Sequence, residues 1–470
     1  MQKNQPPSAS SSPVPTTPIS FAEAISLVAE HSAAILAASS RKTSILPLSL
    51  ALDRVLAAPL VAGRDQPPFP RVTRDGFAVR ARDLTRGVPL RIVGQLRAGE
   101  RWSSNQPPLA AGEAIEIMTG APLPPGADAV LMVEHAWIFS GSELAGRAPI
   151  AGRAPNDGHP SDVLESTFLL PHAGRTLAPG ENIVPQGSEA CQGDLLLQPG
   201  TRLDPDQIAL AAFCGFCSVP VYAPPKVAIL ATGDELVAPS VHWPANEAGI
   251  QEDNPAIQAH QIYDSNSSSL AALVRRFGAI PVTQGAAPDR ADALASSIRQ
   301  GLKSAPLLLL AGGVSLGKFD LVEDVLATMG AEFFFTGVAM QPGKPVVFGR
   351  VPAGKGRAPR YFFGLPGNPV SAMVTFRLFV QPLLAALAGQ RDWQTNFALA
   401  TLTSALPLKR GLTRFLPACL DTSQPLPTVT PVPSQGSGDL AANARTNCYV
   451  VVPDDCDLLA ADQPVRVLLR

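Results

Sequence analysis

Between residues 226 and 388, short uninterrupted apolar runs alternate with stretches of helical spacing, and this alternation constrains the fold more than any other feature of the chain. The runs KVAIL, AIPV, PLLLL, EFFF and YFFGL are apolar along their length rather than on every second residue. Strands read that way when helices cover both faces of a sheet. Helical spacing falls over residues 268–277, 290–302 and 321–329 and along the segment that follows Pro369. The pattern predicts a doubly wound α/β domain over residues 226–388.

The flanks read differently. Residues 1–18 are rich in Ser, Pro and Thr and cannot bury enough apolar surface to order themselves, so a disordered tail is expected. A helix is expected over residues 21–39, with Ser20 as its N-cap. Residues 19–60 and 186–225 are assigned to an N-terminal linker domain, and residues 61–185, with short β-branched runs broken by Gly and Pro, to a β-rich domain. Within the latter, residues 140–166 hold AGRAP twice and few large apolar groups, and are expected to form a flexible insertion. Residues 389–470 fit a small C-terminal β domain.

Lys+Arg total 37 against Asp+Glu 39, a net charge of −2, which excludes the broad positive field that holds nucleic acid or an anionic membrane. Any bound anion must be held by a local site. Uninterrupted apolar stretches such as residues 307–311 are too short to span a bilayer, and the N-terminus lacks an apolar signal region. The six cysteines are too sparse for a disulfide scaffold, so a cytoplasmic location is expected. Cys214 and Cys217 form a lone CxxC after an apolar helical stretch, and buried packing is expected of them rather than metal or redox chemistry. The six histidines show no metal spacing.

In doubly wound sheets ligands bind beyond the carboxyl ends of the strands, where backbone amides and helix N-termini favour anions. Three such segments stand out: Thr232-Gly233-Asp234-Glu235, then Gly312-Gly313-Val314-Ser315-Leu316-Gly317, then Pro366-Gly367-Asn368-Pro369. Glycines let the backbone approach a phosphate, and Ser315 adds a hydroxyl. Pro369 suits a first helical turn, and Ser371 could place a hydroxyl among that turn's free amides. Lys344 and Pro345 belong to a rigid QPGKP turn that fixes one cation. Together these predict a polyanion site. Glu235, Asp289 and Asp320 lie beside the loops, and carboxylates beside phosphates commonly hold Mg²⁺ through oxygen. Arg410 and Arg414 are expected on solvated surface.

TGDEL, GGVSLG followed by Asp320, QPGKPVVFG and GLPGNPVSAMVTF, in this order and spacing, resemble the MoeA family, the molybdopterin molybdenumtransferases, related to gephyrin and its plant counterpart. The resemblance extends through PPFPRVTRDGFAVRARD, IMTGAPLPPGADAVLMVE, GENIVPQGSEACQGD and SGDLAANARTNCYVVVP, and so spans residues 20–470. It implies a central MogA-like molybdopterin-binding domain. It also implies a reaction in which molybdate and adenylylated molybdopterin give molybdenum cofactor and AMP with Mg²⁺. The protein would be a homodimer with composite sites, and other molybdenum cofactor biosynthesis proteins are possible partners.

Carried over by position, the resemblance makes Asp75, Thr119, Glu235, Asp289 and Asp320 catalytic, with the last three on the metal. It matches Ser315 to the nucleotide and metal region, Lys344, Pro345 and Ser371 to residues around molybdate, and Pro366 and Pro369 to the prolines of the PGNP loop; Thr232, Gly233, Asp234, Gly312, Gly313, Gly317, Gly367 and Asn368 complete the expected substrate-binding set. The chain departs from the family pattern at Val184, Ala190, Gly337 and Gln341, where charged residues are common. Those departures keep a non-catalytic gephyrin-like scaffold as one alternative. A molybdopterin adenylyltransferase, which shares the glycine loops, is another.

Overall fold

The computed structural model describes residues 17–38, 41–85, 87–140, 167–239, 257–313, 321–354 and 358–470. Ser315, Gly317 and Asp320, the insertion at 141–166 and the tail up to residue 16 lie outside the described residues. The chain divides into two compact units, one of residues 1–58, 199–208 and 218–470, the other of residues 59–198 and 209–217.

The larger unit is built on a six-stranded sheet. Its strands are β1 (Lys226–Thr232), β2 (Ile280–Ala287), β3 (Leu307–Ala311), β4 (Glu332–Phe335), β5 (Val347–Val351) and β6 (Arg360–Leu365), in spatial order β2-β1-β3-β6-β5-β4. β2, β1, β3 and β6 are parallel, β5 runs antiparallel to β6, and β4, antiparallel to β5, returns to the common direction. The link between β5 and β6 is too short for a crossover helix, so the pair can only form a hairpin.

Alternation along the strands divides the core. Val227, Ile229, Leu307 and Leu309 face helices α1 (Phe21–Ala37), α2 (Ser265–Arg276) and α5 (Pro369–Thr375). Ala228, Leu230, Leu308 and Leu310 face α3 (Ala291–Ser304) and α4 (Val322–Thr328). Each leucine so buried stabilises the unit by roughly 1.5–3 kcal/mol. The helical run Pro369–Leu387 is long and apolar enough to cross a membrane by length and composition, but 83% of its apolar window is buried inside the protein, which makes it a core helix.

A second sheet of the same unit closes on itself. Thr413–Asp421, Thr428–Pro431, Phe397–Leu402, Pro464–Leu469 and Cys448–Val452 pair in that order, and the last pairs back to the first. Val429, Val450, Val452 and Val467 fill its interior. The short strand Met340–Gln341 adds to its rim by parallel pairing with Thr413 and Arg414.

The smaller unit holds a six-stranded sheet ordered Ala129–Met132, Gly76–Val79, Glu113–Ile117, Leu90–Leu96, Thr167–Pro171, Ala136–Ser140. Phe77 and Val79 pack into a core on one face, Ala78 into a core on the other. Cys214 and Cys217 are not buried as expected: Cys217 is exposed and Cys214 half-buried, because Gly215 (φ +90°) turns the chain away after the helix Pro205–Phe213. Both are free thiols.

α1 starts where its sequence says. Ser20 Oγ accepts from Glu23 N at 3.2 Å while Glu23 Oε2 accepts from Ser20 N at 2.9 Å, a reciprocal cap. Farther along, His31 stacks on Phe334 with ring centroids 3.9 Å apart. Burial, then the nearby Arg350 guanidinium, push the imidazole pKa down, against the smaller opposing pull of Glu30 and Glu332. A histidine lowered in the folded state contributes stability that is present above its ordinary value of 6.5 and lost as pH falls through the depressed folded value. His31→Phe, which keeps the stack, should therefore flatten the acid side of the stability profile below pH 6.5, as read by urea unfolding across pH.

Candidate functional site

The parallel strands end level. Ala231 stands opposite Ala311, and Ala311 opposite Leu365, so the loops that begin at Gly233, Gly312 and Pro366 leave the sheet at the same edge. The loops touch. Gly312 N donates to Leu365 O at 3.0 Å, and a Cβ on Gly367 would sit 3.6 Å from Gly312 Cα. Gly312 (φ +97°) and Gly313 (φ +64°) lie so close over Thr232 that a Cβ on either would fall within 2.8 Å of its carbonyl or hydroxyl oxygen. The Thr232 hydroxyl is buried there without a hydrogen-bond partner among the described residues, and a buried hydroxyl left so costs about 1–3 kcal/mol. Only glycine fits at 312 and 313, where the loop backbone lies against Thr232.

The acidic residues flank this edge. Asp289 N donates to Asp234 Oδ1 at 3.2 Å, which ties the loop after β2 to the loop after β1. The Glu235 carboxylate folds back over Gly233, whose missing side chain leaves room for it: a Cβ would lie 2.5 Å from Glu235 Oε2. Among the described residues no three His, Cys, Asp or Glu side chains gather as a metal-binding group.

Beside the loop after β6 opens a cleft of about 780 Å³. One wall is the turn 341–345, a second is the start of α5, and the third is the rim of the closed sheet. Lys344, Lys409 and Arg414 line it, and among the described residues its lining includes no Asp or Glu. Pro345, Pro366, Asn368 and Ser371 also line it. Pro369 sits in the first turn of α5, as expected. The amide of Val370, expected to be free in that turn, instead donates to Ser437 O at 3.1 Å, which fastens α5 to the closed sheet's 434–437 loop.

Sequence reasoning placed Arg410 and Arg414 together on solvated surface, and the structure separates them. Arg410 pairs with Asp457 at 2.9 Å on exposed surface, whereas Arg414 faces the cleft. Lys409 and Ser437 were missed, since only the long-range closure of the C-terminal sheet brings them to this wall. Asn266 was missed as well: α2 begins at Ser265, not residue 268, with Asp264 as its cap accepting from Ser267 N. Asn266 is buried and its Nδ2 donates to Gly367 O at 2.7 Å. The run Asp264-Ser-Asn-Ser-Ser carried the capping signal.

Asp75 and Thr119 lie in the smaller unit, and the structure does bring them together. Asp75 Oδ1 accepts from Thr119 N at 2.7 Å and from Thr119 Oγ1 at 2.8 Å. These bonds, the backbone one foremost, hold the carboxyl below the usual range, so it stays ionised on exposed surface.

Comparison with known proteins follows the same lines. Residues 19–215 match the MoeA N-terminal region (domain I and II), residues 228–386 a probable molybdopterin binding domain, and residues 400–469 the MoeA C-terminal region (domain IV). A curated protein of Haemophilus influenzae named molybdopterin molybdenumtransferase is 30% identical over 435 residues, covering 91% of this chain and 93% of the relative. A Nostoc protein of the same name is 32% identical, covering 92% and 89%. This chain belongs to the MoeA family. A crystal structure of the molybdopterin biosynthesis MoeA protein from Pyrococcus horikoshii superposes with a TM-score of 0.71 at 25% identity, covering 97% of this chain and all of the other.

This MoeA-family chain accommodates its departures locally. Gly337 lies under the N-terminal strap: Ile19 N donates to its carbonyl at 3.0 Å, and a Cβ there would meet Pro18 at 3.4 Å. Val184 pairs with Arg71 in a short ladder, and Arg71 bonds Glu189 at 2.9 Å. Ala190 exchanges both backbone hydrogen bonds with Gln66.

The turn that carries Lys344 depends on Gly343. Its φ is +105°, and a Cβ would lie 2.5 Å from Thr375 Cγ2, itself fully buried. Gly343→Ala should lower stability by about 1–3 kcal/mol through backbone strain and overpacking. Oxyanion binding should fall beyond that loss of folded protein, because Lys344 is displaced. Denaturant unfolding paired with ligand titration checks both.

Proposed function

We propose that this chain transfers molybdate into adenylylated molybdopterin with release of AMP. One observation carries the reading: three cations, and among the described residues no carboxylate, line one cleft in a chain whose net charge is −2. A tetrahedral dianion answers that imbalance. The Lys344 ammonium and the Arg414 guanidinium would bind its oxygens, with the Ser371 hydroxyl as a neutral donor. The proline-rich turns hold these groups with little freedom to lose on binding.

The glycine loops over Thr232 suit the phosphates of the nucleotide, where backbone can approach closely. Glu235 and Asp289 would hold Mg²⁺ by carboxylate oxygen, the donor such a hard cation prefers, and the substrate's phosphates would complete its shell. Bound there, Mg²⁺ supplies neutralisation of charge on the phosphates. Ser315, Gly317 and Asp320 complete the proposed site. The relatives' names and their near-full coverage favour a transferase over a scaffold or an adenylyltransferase. The reading includes a cytoplasmic homodimer, with further molybdenum cofactor biosynthesis proteins as partners.

Purified chain supplied with adenylylated molybdopterin, Mg²⁺ and molybdate should release AMP and yield cofactor that activates a molybdoenzyme; absence of both products would remove the assignment. Lys344→Ala should weaken molybdate use by about ten- to a hundredfold, the range lost with one charged hydrogen bond, while nucleotide binding changes little. Equal losses of both ligands would make Lys344 a general phosphate contact.

The dimer reading has its own check. If each site draws Asp75 from one subunit and Lys344 from the other, mixing the impaired Asp75→Ala and Lys344→Ala chains at limiting molybdate should regain one intact site per heterodimer. Mixtures with proven subunit exchange that gain no activity over the separate variants would put both residues on one chain.

A further inference from the structure

Gln341 and Arg414 stand opposite each other in the parallel pairing of Met340–Gln341 with Thr413–Arg414. Arg414 Nε donates to Gln341 Oε1 at 3.3 Å, and Arg414 Nη1 donates to Leu412 O at 3.1 Å. Both side chains line the cleft. The two bonds fix the plane of the guanidinium from two directions and leave its other N–H groups for an oxyanion. The chemistry of the acceptor then matters. A carboxylate at residue 341 would hold the same geometry but cancel the charge the cleft needs. An ammonium would offer no acceptor and would repel Arg414. An amide orients the arginine and leaves its charge whole.

We propose that Gln341 is a positioning residue that aims Arg414 at the oxyanion and, by its neutrality, sets the affinity of the cleft for a dianion. This rests on the molybdate reading above. It differs from a packing role because Gln341 is exposed, so its replacement should leave the fold intact. Two variants separate orientation from charge. Gln341→Leu removes the acceptor without adding charge, and Gln341→Glu keeps the acceptor while adding one.

The experiment uses the full chain and sodium molybdate as probe. Affinity is read by calorimetry. The setting of Arg414 is read from its Nε–H resonance, assigned by its loss in Arg414→Lys. Gln341→Leu should abolish the protection of that Nε–H from solvent exchange and weaken molybdate binding by about tenfold, within the range of coupled neighbours. Gln341→Glu should keep the protection yet weaken binding more than Gln341→Leu does. In an Arg414→Leu background, Gln341→Leu should have no further effect on affinity.

An Nε–H signal unchanged in Gln341→Leu overturns the proposal. So does an equal loss of affinity with and without the Arg414 side chain, or a Gln341→Glu chain that binds as tightly as wild type. Should the wild-type chain bind no molybdate, the proposed activity falls, and the resonance alone then decides: protection present in wild type and lost in Gln341→Leu keeps the positioning role, while unchanged protection removes it.

Discussion

The level register of three parallel strands is the constraint on which the larger unit depends. Because Ala231, Ala311 and Leu365 lie side by side, the residues after them have no choice but to turn at one edge. Three chains turning in so small a space cannot all carry side chains. Glycine at 312 and 313 resolves the crowding, and Thr232 beneath them loses access to water. The apolar residues of β1 and β3 are what make this arrangement affordable, since their burial on both faces outweighs one unsatisfied hydroxyl.

A second, much smaller pairing builds the cleft. Two residues, Met340 and Gln341, extend the closed C-terminal sheet and so draw the Lys344 turn against its rim. From the other side the Val370 amide grips the Ser437 carbonyl. Lys344 from the turn and Lys409 and Arg414 from the rim thereby share one wall-to-wall space although more than sixty residues separate Lys344 from the other two. The positive field is local, as the chain's net charge of −2 required of any anion site.

Legibility followed the range of the interaction concerned. Strand runs, the Ser20 cap and the glycine loops are local patterns with a physical cause in a few neighbouring residues, and the sequence shows them directly. The distinction between Arg410 and Arg414 is not local. Both lie on one polar stretch, and only the register of residues 413–421 with 448–452 and 340–341 turns one toward Asp457 and the other into the cleft. The start of α2 was legible but misplaced, because helical periodicity begins later than the cap at Asp264. The exposure of Cys217 was likewise hidden, since an apolar helical stretch predicts burial of a face without fixing where the chain leaves it. Asp75 and Thr119 had no local signal at all, and only family resemblance pointed to them before the 2.7 Å bond between Asp75 Oδ1 and Thr119 N was seen.

Several features at the strand edge and the cleft work against stability in the free protein. Like charges at Lys344, Lys409 and Arg414 repel one another with no carboxylate among the described lining residues to relieve them, and the Thr232 hydroxyl has no partner among the described residues. Gly343 spends backbone freedom on a left-handed turn. Stability alone would select against all three, since a single acid in the lining would quiet the charges. On the proposed reading their concentration at this edge would serve a dianion: repulsion among the cations would become attraction to a common partner, and groups already fixed by proline turns and by Gln341 would lose little entropy in meeting it. Binding free energy withheld from folding in this way would be available to such a ligand, and a wall of cations without an acid among its described residues is a form in which the fold could hold it.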